Sequence, residues 1–330
     1  MEYRYIDLHC DTLAEALMKK RSTAEVLSGT MADVRRLREA GAAAQFFAMF
    51  LPQNRTAGWF EGEEQPAPEE LLHGMYQIYC RTMEACSDMI APARNDRELA
   101  ANRRQGKISA FLTIENGFLV RGSMEKIREF YDMGVRLVTL TWNDPNCFGF
   151  CHSNDPEKMA RGLTDFGKEA VSYMQELGML VDVSHLSDGG FWDVSAIAGR
   201  TGKPFVASHS NCRTLAPATR NLTDEMIRAL AECGGVAGLN FEPTFLNADQ
   251  SDRFSRVDRM CDHVMHLIDK GGIECAAIGT DFDGISGTFE IKDCTGMPLL
   301  FAALRRRGLS EDAVWKIAYG NAERVIRETM

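Results

Sequence analysis

Eight apolar runs rich in Val, Ile, Leu and Phe alternate along the chain with eight amphipathic stretches, and this rhythm constrains the fold more than any other feature. The runs cover residues 3–9, 43–51, 108–115, 135–141, 180–185, 204–209, 235–241 and 276–281. The stretches at 31–40, 69–88, 123–133, 164–177, 188–199, 223–233, 256–270 and 297–307 read as helices. Thr223, followed by Asp224 and Glu225, has the chemistry of a helix start, and Gly134, Gly178 and Gly271 sit where helices are expected to stop. Strand alternating with helix implies a parallel sheet, because each strand must be carried back to the same end before the next begins. Eight repeats predict a closed α/β barrel, the (β/α)8 TIM-type architecture. No linker separates two halves, so residues 1–330 are read as one barrel domain. The stretch 52–68, with three Pro and two Gly, reads as a long surface loop inserted over the mouth.

Barrels of this kind hold their chemistry where the C-terminal ends of the strands meet the following loops. The chain's metal-ligating residue types gather at those ends. His9 and Asp11, in Asp-Leu-His-Cys-Asp-Thr, end the first run; Glu115 ends the third, His185 the fifth, His209 the sixth and Asp281 the eighth. Side chains two apart on a strand share a face, so His9 and Asp11 can grip one ion from one side while Cys10 faces away. Three histidines and two carboxylates form a mixed nitrogen and oxygen donor set that suits Zn2+ and tolerates Mn2+ or Co2+. Five ligands exceed what one tetrahedral catalytic ion uses while keeping a position open for water, which points to a pair of ions. Glu115 lies between the two groups in strand order and is the natural bridge, with His9 and Asp11 on one ion and His185 and His209 on the other. Two ions sharing a water make hydroxide available near neutral pH, so the chain reads as a metal-dependent hydrolase.

Other residues keep two readings. Asp281, in Gly-Thr-Asp-Phe-Asp-Gly, is a strand-end carboxylate not needed as a ligand; it is preferred over Asp283 as the proton carrier, with helix capping or ligation as its alternative. Arg220 has the planar fork that suits a substrate carboxylate, although an Arg before a helix is as readily a surface ion-pair partner. Asp182 is either an acceptor that fixes a ligand histidine's tautomer or a helix contact. His263 and His266 read as a solvated helix face, and His73 as structural.

Composition excludes several function classes. Apolar residues at 45% and charged residues at 25% are those of a globular enzyme rather than a disordered chain. A formal net charge of −10 opposes binding to nucleic acid or to an anionic membrane, both of which reward a basic surface. The N-terminus has no basic segment leading into an apolar stretch, and no run approaches the ~20 apolar residues of a membrane span, so a cytoplasmic location is expected. Ten scattered cysteines without a CxxC pair read as reduced thiols.

Taken in order, several motifs resemble the membrane dipeptidase (renal dipeptidase) family of zinc metallopeptidases, within the amidohydrolase-type barrels. They are Asp-Leu-His-Cys-Asp-Thr at 7–12, Ile-Glu-Asn-Gly at 114–117, Val-Asp-Val-Ser-His-Leu-Ser at 181–187, Ala-Ser-His-Ser-Asn at 207–211, Arg-Asn-Leu-Thr-Asp-Glu at 220–225, Gly-Thr-Asp-Phe-Asp-Gly at 279–284 and Tyr-Gly-Asn at 319–321. The resemblance implies two zinc ions bridged by Glu115, with His9 and Asp11 on one and His185 and His209 on the other. It further implies proton shuttling by Asp281 and capture of a dipeptide's free carboxylate by Arg220, often with tolerance for a D residue at the C-terminal position. A homodimer is suggested by the same analogy.

One position departs from the family pattern. Where relatives such as the renal enzyme end strand four with a histidine that contacts the substrate carbonyl, this chain has Trp142 in Leu-Thr-Trp-Asn. Trp offers an N–H donor but no second ring nitrogen and no cationic form. His152, ten residues on in the same loop, and Asn143 are the candidates to supply the missing donor. The expected activity is therefore hydrolysis of small dipeptides. Its rivals are another amide, lactone or ester hydrolase of the same superfamily, or a catalytically silent metal-binding protein.

Overall fold

The computed structural model describes residues 4–53 and 66–330. Of the surface loop read at 52–68, residues 54–65 lie outside the described residues. Eight parallel strands close on themselves: β1 (Tyr5–Cys10), β2 (Ala42–Phe50), β3 (Ile108–Glu115), β4 (Val135–Thr139), β5 (Leu180–Asp182), β6 (Val206–Ala207), β7 (Val236–Leu239) and β8 (Ala276–Ile278). Closure is complete because β8 pairs with β1 at Ile278 and Asp7, while β2 runs beside β3 from Ala44 opposite Ser109 to Phe50 opposite Glu115. This is the (β/α)8 barrel that the alternation predicts.

Each strand is buried on both faces, which is why the strands read as continuous apolar runs rather than alternating ones. Inside the barrel, Leu8, Phe46, Phe111, Leu137, Leu180, Val206 and Val236 form one packed cluster, with the rings of Phe46 and Phe111 stacked at 4.6 Å. The C-terminal helix Asn321–Thr329 adds Ala322, Val325 and Ile326 to this cluster. Each large side chain buried this way contributes about 1.5–3 kcal/mol relative to exposure, so the interior is a solid floor and not a pore. Outward-facing residues such as Tyr5 and Cys10 belong to a second cluster beneath the surrounding helices.

Helix boundaries follow local chemistry. The Thr223 hydroxyl accepts from the Met226 amide and starts Asp224–Glu232; Gly134 and Gly178 end their helices at φ 107° and 80°. The expected stop at Gly271 falls one residue later: Gly271 is the last helical residue and Gly272 takes the positive φ of 78°. Several elements carry too little periodicity to be read beforehand. They include the helices Thr12–Met18, Asp96–Arg104 and Glu311–Trp315, the short strand Ile90–Pro92 beside β3, and a two-stranded ribbon of Phe254–Ser255 with Thr288–Phe289.

Strands β5, β6 and β8 are shorter than the apolar runs that contain them. At the top of β5 the Asp182 carboxylate takes the amides of Ser184 and Ser208, and His185 turns into the left-handed region at φ 67°. Asp281 does the same after β8 at φ 61°. His185, His209 and Asp281 thus stand on the first residues of loops, not within strands. Close approach of the neighbouring backbones explains two glycines: a Cβ at Gly238 or Gly279 would lie 1.9 Å or 1.7 Å from the Ser208 carbonyl oxygen, immediately behind His209. All ten cysteines are free thiols. Among the described residues no helix is long and apolar enough to cross a membrane.

Candidate metal centre

Six buried side chains from five strand ends converge at the top of the barrel. Asp7 anchors the first: its carboxylate accepts from the Thr280 amide (2.8 Å), the Thr280 hydroxyl (2.7 Å) and Gln45 Nε2 (3.1 Å), tying β1 to its neighbours on both sides. His9, fully buried two residues on, places Nε2 3.4 Å from Asp11 Oδ2 and 3.5 Å from Glu115 Oε2. The other oxygen of Glu115 faces a different pair: Oε1 lies 3.0 Å from His185 Nε2 and 3.5 Å from His209 Nε2. One carboxylate therefore divides the cluster into His9 with Asp11 and His185 with His209. Asp281 borders the first group, with Oδ1 3.7 Å from His9 Nε2, while its Oδ2 accepts from Asn240 Nδ2 at 2.9 Å.

Charge balance in this cluster is strained. Burial raises the pKa of Glu115, but His9, His185 and His209 around it prevail and hold it well below the usual carboxylate range. Burial lowers the pKa of His9, yet Glu115 and Asp11 outweigh it and push the imidazole well above its ordinary value. Burial, reinforced by Glu115, pushes Asp11 up to about 6 and, reinforced by Asp11 and Glu115, lifts Asp281 well above the carboxylate range. Burial depresses His185 to about 4, with Arg220 adding to it, and holds His209 well below the ordinary imidazole value, with His9 adding to it.

The donor set fits divalent cations. His9 Nδ1 and Nε2, Asp11 Oδ1 and His185 Nδ1 are buried without a hydrogen-bond partner, each a cost of about 1–3 kcal/mol when nothing compensates. His9, Glu115 and His209, and separately His9, Asp11 and Asp281, each bring three donor atoms within 4.8 Å of one another. His185 Nε2 and His209 Nε2 approach to 3.1 Å, a spacing that a shared electrophile would relieve. Imidazole nitrogen with carboxylate oxygen is the ligand chemistry of zinc and its first-row neighbours.

Above the cluster opens a cavity of about 370 Å3 whose lining includes Asp11, Glu115, His185 and Asp281. Trp142, Asn143, His152 and Arg220 all line it as well. Trp142 packs edge-on against Phe50 with ring centres 4.8 Å apart and lies 6.1 Å from the His185 ring. His152 does return to the cavity. Its amide donates to the His185 carbonyl, its Nδ1 meets Thr219 Oγ1 at 2.9 Å, and its Nε2 meets Asn143 Oδ1 at 3.0 Å. Burial, Arg220 and His185 together lower its pKa to about 2, so the ring is neutral.

Arg220 is buried, donates from Nη1 to Ser210 Oγ and from Nη2 to the His209 carbonyl, and lies 5.1 Å from the Phe245 ring centre. Its Nε has no partner. Burial lowers its pKa to about 10, which leaves the guanidinium charged. It is not the surface ion-pair partner that its position before a helix allows. Asp283 is turned away to structural duty, accepting from the Thr12 hydroxyl and the Met31 and Ala32 amides. Asp182, fully buried, accepts from Ser208 Oγ, which itself meets His209 Nδ1.

Two histidines correct the sequence reading. His263 is fully buried, its Nδ1 accepting from the Cys212 amide and its Nε2 donating to the Leu246 carbonyl, because the loops after β6 and β7 pack onto that side of helix Val257–Gly271. His266 is half-buried and pairs with Asp224 at 2.7 Å. Neither forms a solvated face. His73 is exposed on Pro68–Ala85.

Sequence reasoning missed Phe245 and the Glu242–Arg253 ion pair on the cavity wall, and Asn240 buried behind Asp281. Asn240 carried a signal: it is the polar residue that follows Gly-Leu near the end of the seventh apolar run, the position occupied by a candidate ligand in four other runs and by Asp281 in a fifth.

Comparison with known proteins agrees with this geometry. The family model for membrane dipeptidase, peptidase family M19, matches residues 1–330. A protein of Klebsiella pneumoniae described only as uncharacterized and lying in the pqqA 5' region is 35% identical over 232 residues, covering 68% of this chain and 83% of its own. An uncharacterized dipeptidase of Schizosaccharomyces pombe is 30% identical over 303 residues, covering 90% of this chain and 72% of its own. Among solved structures, a metallo peptidase from Rhodobacter sphaeroides, liganded with a phosphinate mimic of the dipeptide L-Ala-D-Ala, superposes with a TM-score of 0.90 at 26% identity and full coverage of both chains. A closed parallel barrel, histidines and carboxylates gathered at its C-terminal mouth, and a match from the first residue to the last place this chain in the membrane dipeptidase family of metallopeptidases.

Proposed function

We propose that the protein hydrolyses the peptide bond of dipeptides with two divalent cations, best satisfied by zinc, one held by His9, Asp11 and Glu115 and the other by Glu115, His185 and His209. The observation that carries this reading is the split of Glu115, whose two oxygens face two separate groups of donors. Cations held by these residues would supply Lewis-acid chemistry, lowering the pKa of a water toward neutrality and polarising the scissile carbonyl.

The chain's own residues do the rest. Arg220 receives the C-terminal carboxylate: it is a buried cation with an unpartnered Nε, backed by Phe245, at the wall of the cavity. A peptide bond one residue from that carboxylate then lies over the cluster, and the bounded cavity of about 370 Å3 around it sets the length limit at dipeptides. Asp281, oriented by Asn240, takes the proton from the attacking water and delivers it to the departing amine. Trp142, Asn143 and neutral His152 bind the substrate backbone, with His152 held by Thr219 and Asn143 in place of the family's strand-four histidine. The dipeptide mimic held by the Rhodobacter sphaeroides enzyme ends in D-Ala, which supports acceptance of a D residue at the C-terminal position here.

The test is to strip the protein of metal, add zinc stepwise and follow cleavage of L-Ala-L-Ala and L-Ala-D-Ala. Turnover that rises to its plateau only at the second equivalent is expected. A plateau at the first equivalent sinks the two-ion reading, and no cleavage of either dipeptide sinks the substrate assignment.

A further inference from the structure

We infer that Asp182 and Ser208 are positioning residues that fix the tautomer of His209, and so decide whether this histidine can hold a cation. The inference rests on the two-ion reading above. The four groups involved, Thr139, Asp182, Ser208 and His209, are all fully buried, so water cannot substitute for any partner.

The hydrogen count leaves one arrangement. Asp182 Oδ2 lies 2.6 Å from Ser208 Oγ and 2.6 Å from Thr139 Oγ1, and its Oδ1 is taken by the Ser184 and Ser208 amides. An ionised carboxylate only accepts, so both hydroxyls must donate to it. Ser208 has a single hydroxyl hydrogen, spent on Asp182. The 2.7 Å contact between Ser208 Oγ and His209 Nδ1 is then a hydrogen bond only if Nδ1 carries the proton and donates. Nε2, which faces Glu115 Oε1, is left with its lone pair. Orientation of a ligand imidazole through a buried carboxylate is worth about 10–100-fold in metal affinity.

The relay makes an asymmetric prediction. In Asp182→Asn the amide that replaces Oδ2 donates to Ser208 Oγ, whose hydrogen swings round to His209 Nδ1. The imidazole proton is driven to Nε2 and the ligand lone pair is lost. Ser208→Ala removes the hydroxyl without imposing the wrong tautomer, and Thr139→Val removes a donor to Asp182 while leaving the relay intact.

Zinc affinity of the folded proteins, measured by competition with a chromophoric chelator, is expected to fall about 10–100-fold for one of two equivalents in Asp182→Asn, less in Ser208→Ala, and not at all in Thr139→Val. Thermal stability falls in all three. Unchanged zinc affinity in Asp182→Asn, or losses in the three variants that track their stabilities, would overturn the relay. Should Asp182→Asn fail to fold, Ser208→Ala against Thr139→Val carries the same comparison. A wild-type protein that takes up one equivalent only would overturn the two-ion reading instead, and the relay would be judged by the same ordering on that one equivalent.

Discussion

At Gly284 a single methyl group decides whether two carboxylates can keep their places. A Cβ there would lie 2.2 Å from Asp11 Oδ2 and 2.6 Å from Asp281 Oδ1. Both clashing atoms are at side-chain ends, so the backbone can stay where it is while the carboxylates swing aside. Gly284→Ala is therefore expected to keep a near-native melting temperature and to lose roughly 10²-fold in kcat/KM, the usual consequence of displacing a reacting group by about 1 Å. Wild-type turnover in this variant would mean that Asp11 and Asp281 do not need their observed positions. Arg220 makes a second claim at this scale. With its guanidinium buried and Nε unpartnered, removing it should matter only to substrates that present a carboxylate. Arg220→Ala is expected to cost on the order of 10²- to 10³-fold in kcat/KM for free dipeptides, the loss typical of truncating one partner of a buried charge pair. The corresponding dipeptide amides should be cleaved equally by both proteins. Equal losses on both substrates would point to a structural Arg220 and to a hydrolase with no need of a terminal carboxylate.

Elements were legible in proportion to their periodicity. The helices at 164–177 and 223–233 are found at Asp165–Leu177 and Asp224–Glu232, because capping residues and glycine stops bracket a clear apolar stripe. Strand ends were less legible. The run 180–185 carries Val183 past the point where Asp182 captures two amides and ends β5, and this capture depends on Ser208 in the loop after β6. The convergence of His9, Asp11, Glu115, His185 and His209 could be read because a barrel puts strand ends together whatever their separation in sequence. Asn240 was passed over because an amide has no ligand chemistry to advertise. His263 was misread although a signal existed. It lies on the same stripe as Met260, Val264 and Leu267, at helical spacing, and its charged neighbours Asp262 and His266 obscured this. Its burial has a measurable consequence. The neutral ring accepts from Cys212 and donates to Leu246, and burial brings its pKa down from 6.5 to about 4. Between those two values the unfolded chain binds the proton and the folded chain does not, so this contribution is intact above pH 6.5 and drains away as pH falls toward 4. His263→Asn should be less stable than wild type at pH 7 in urea denaturation. Wild type should then lose about 2 kcal/mol more than the variant on going to pH 5. A stability gap that stays constant with pH would show that His263 titrates normally in the folded state.

Across the whole molecule the cluster draws on β1, β3, β5, β6 and β8, more than half of the barrel's circumference. The apolar floor of Phe46, Phe111 and Leu180 can hold the strands, but it cannot neutralise Asp11, Glu115 and Asp281 crowded around His9 above it. Cations bound there would bind the folded barrel alone, since the five proposed ligands, spread from residue 9 to residue 209, meet only when the barrel closes. Binding of that kind stabilises by mass action, about 2.7 kcal/mol for each site at a hundredfold excess over its dissociation constant. Removing metal by chelation is therefore expected to lower the melting temperature by several degrees, and zinc should restore it while calcium, a ligand of all-oxygen sites, should not. Restoration should also depend on both groups of donors. His9→Gln and His209→Gln should each recover only part of the lost stability, whereas exposed His73→Gln should recover all of it. A melting temperature indifferent to chelator and to zinc would mean that packing alone draws these strand ends together, leaving the unpartnered atoms of His9 and His185 as an uncompensated cost at the centre of the barrel.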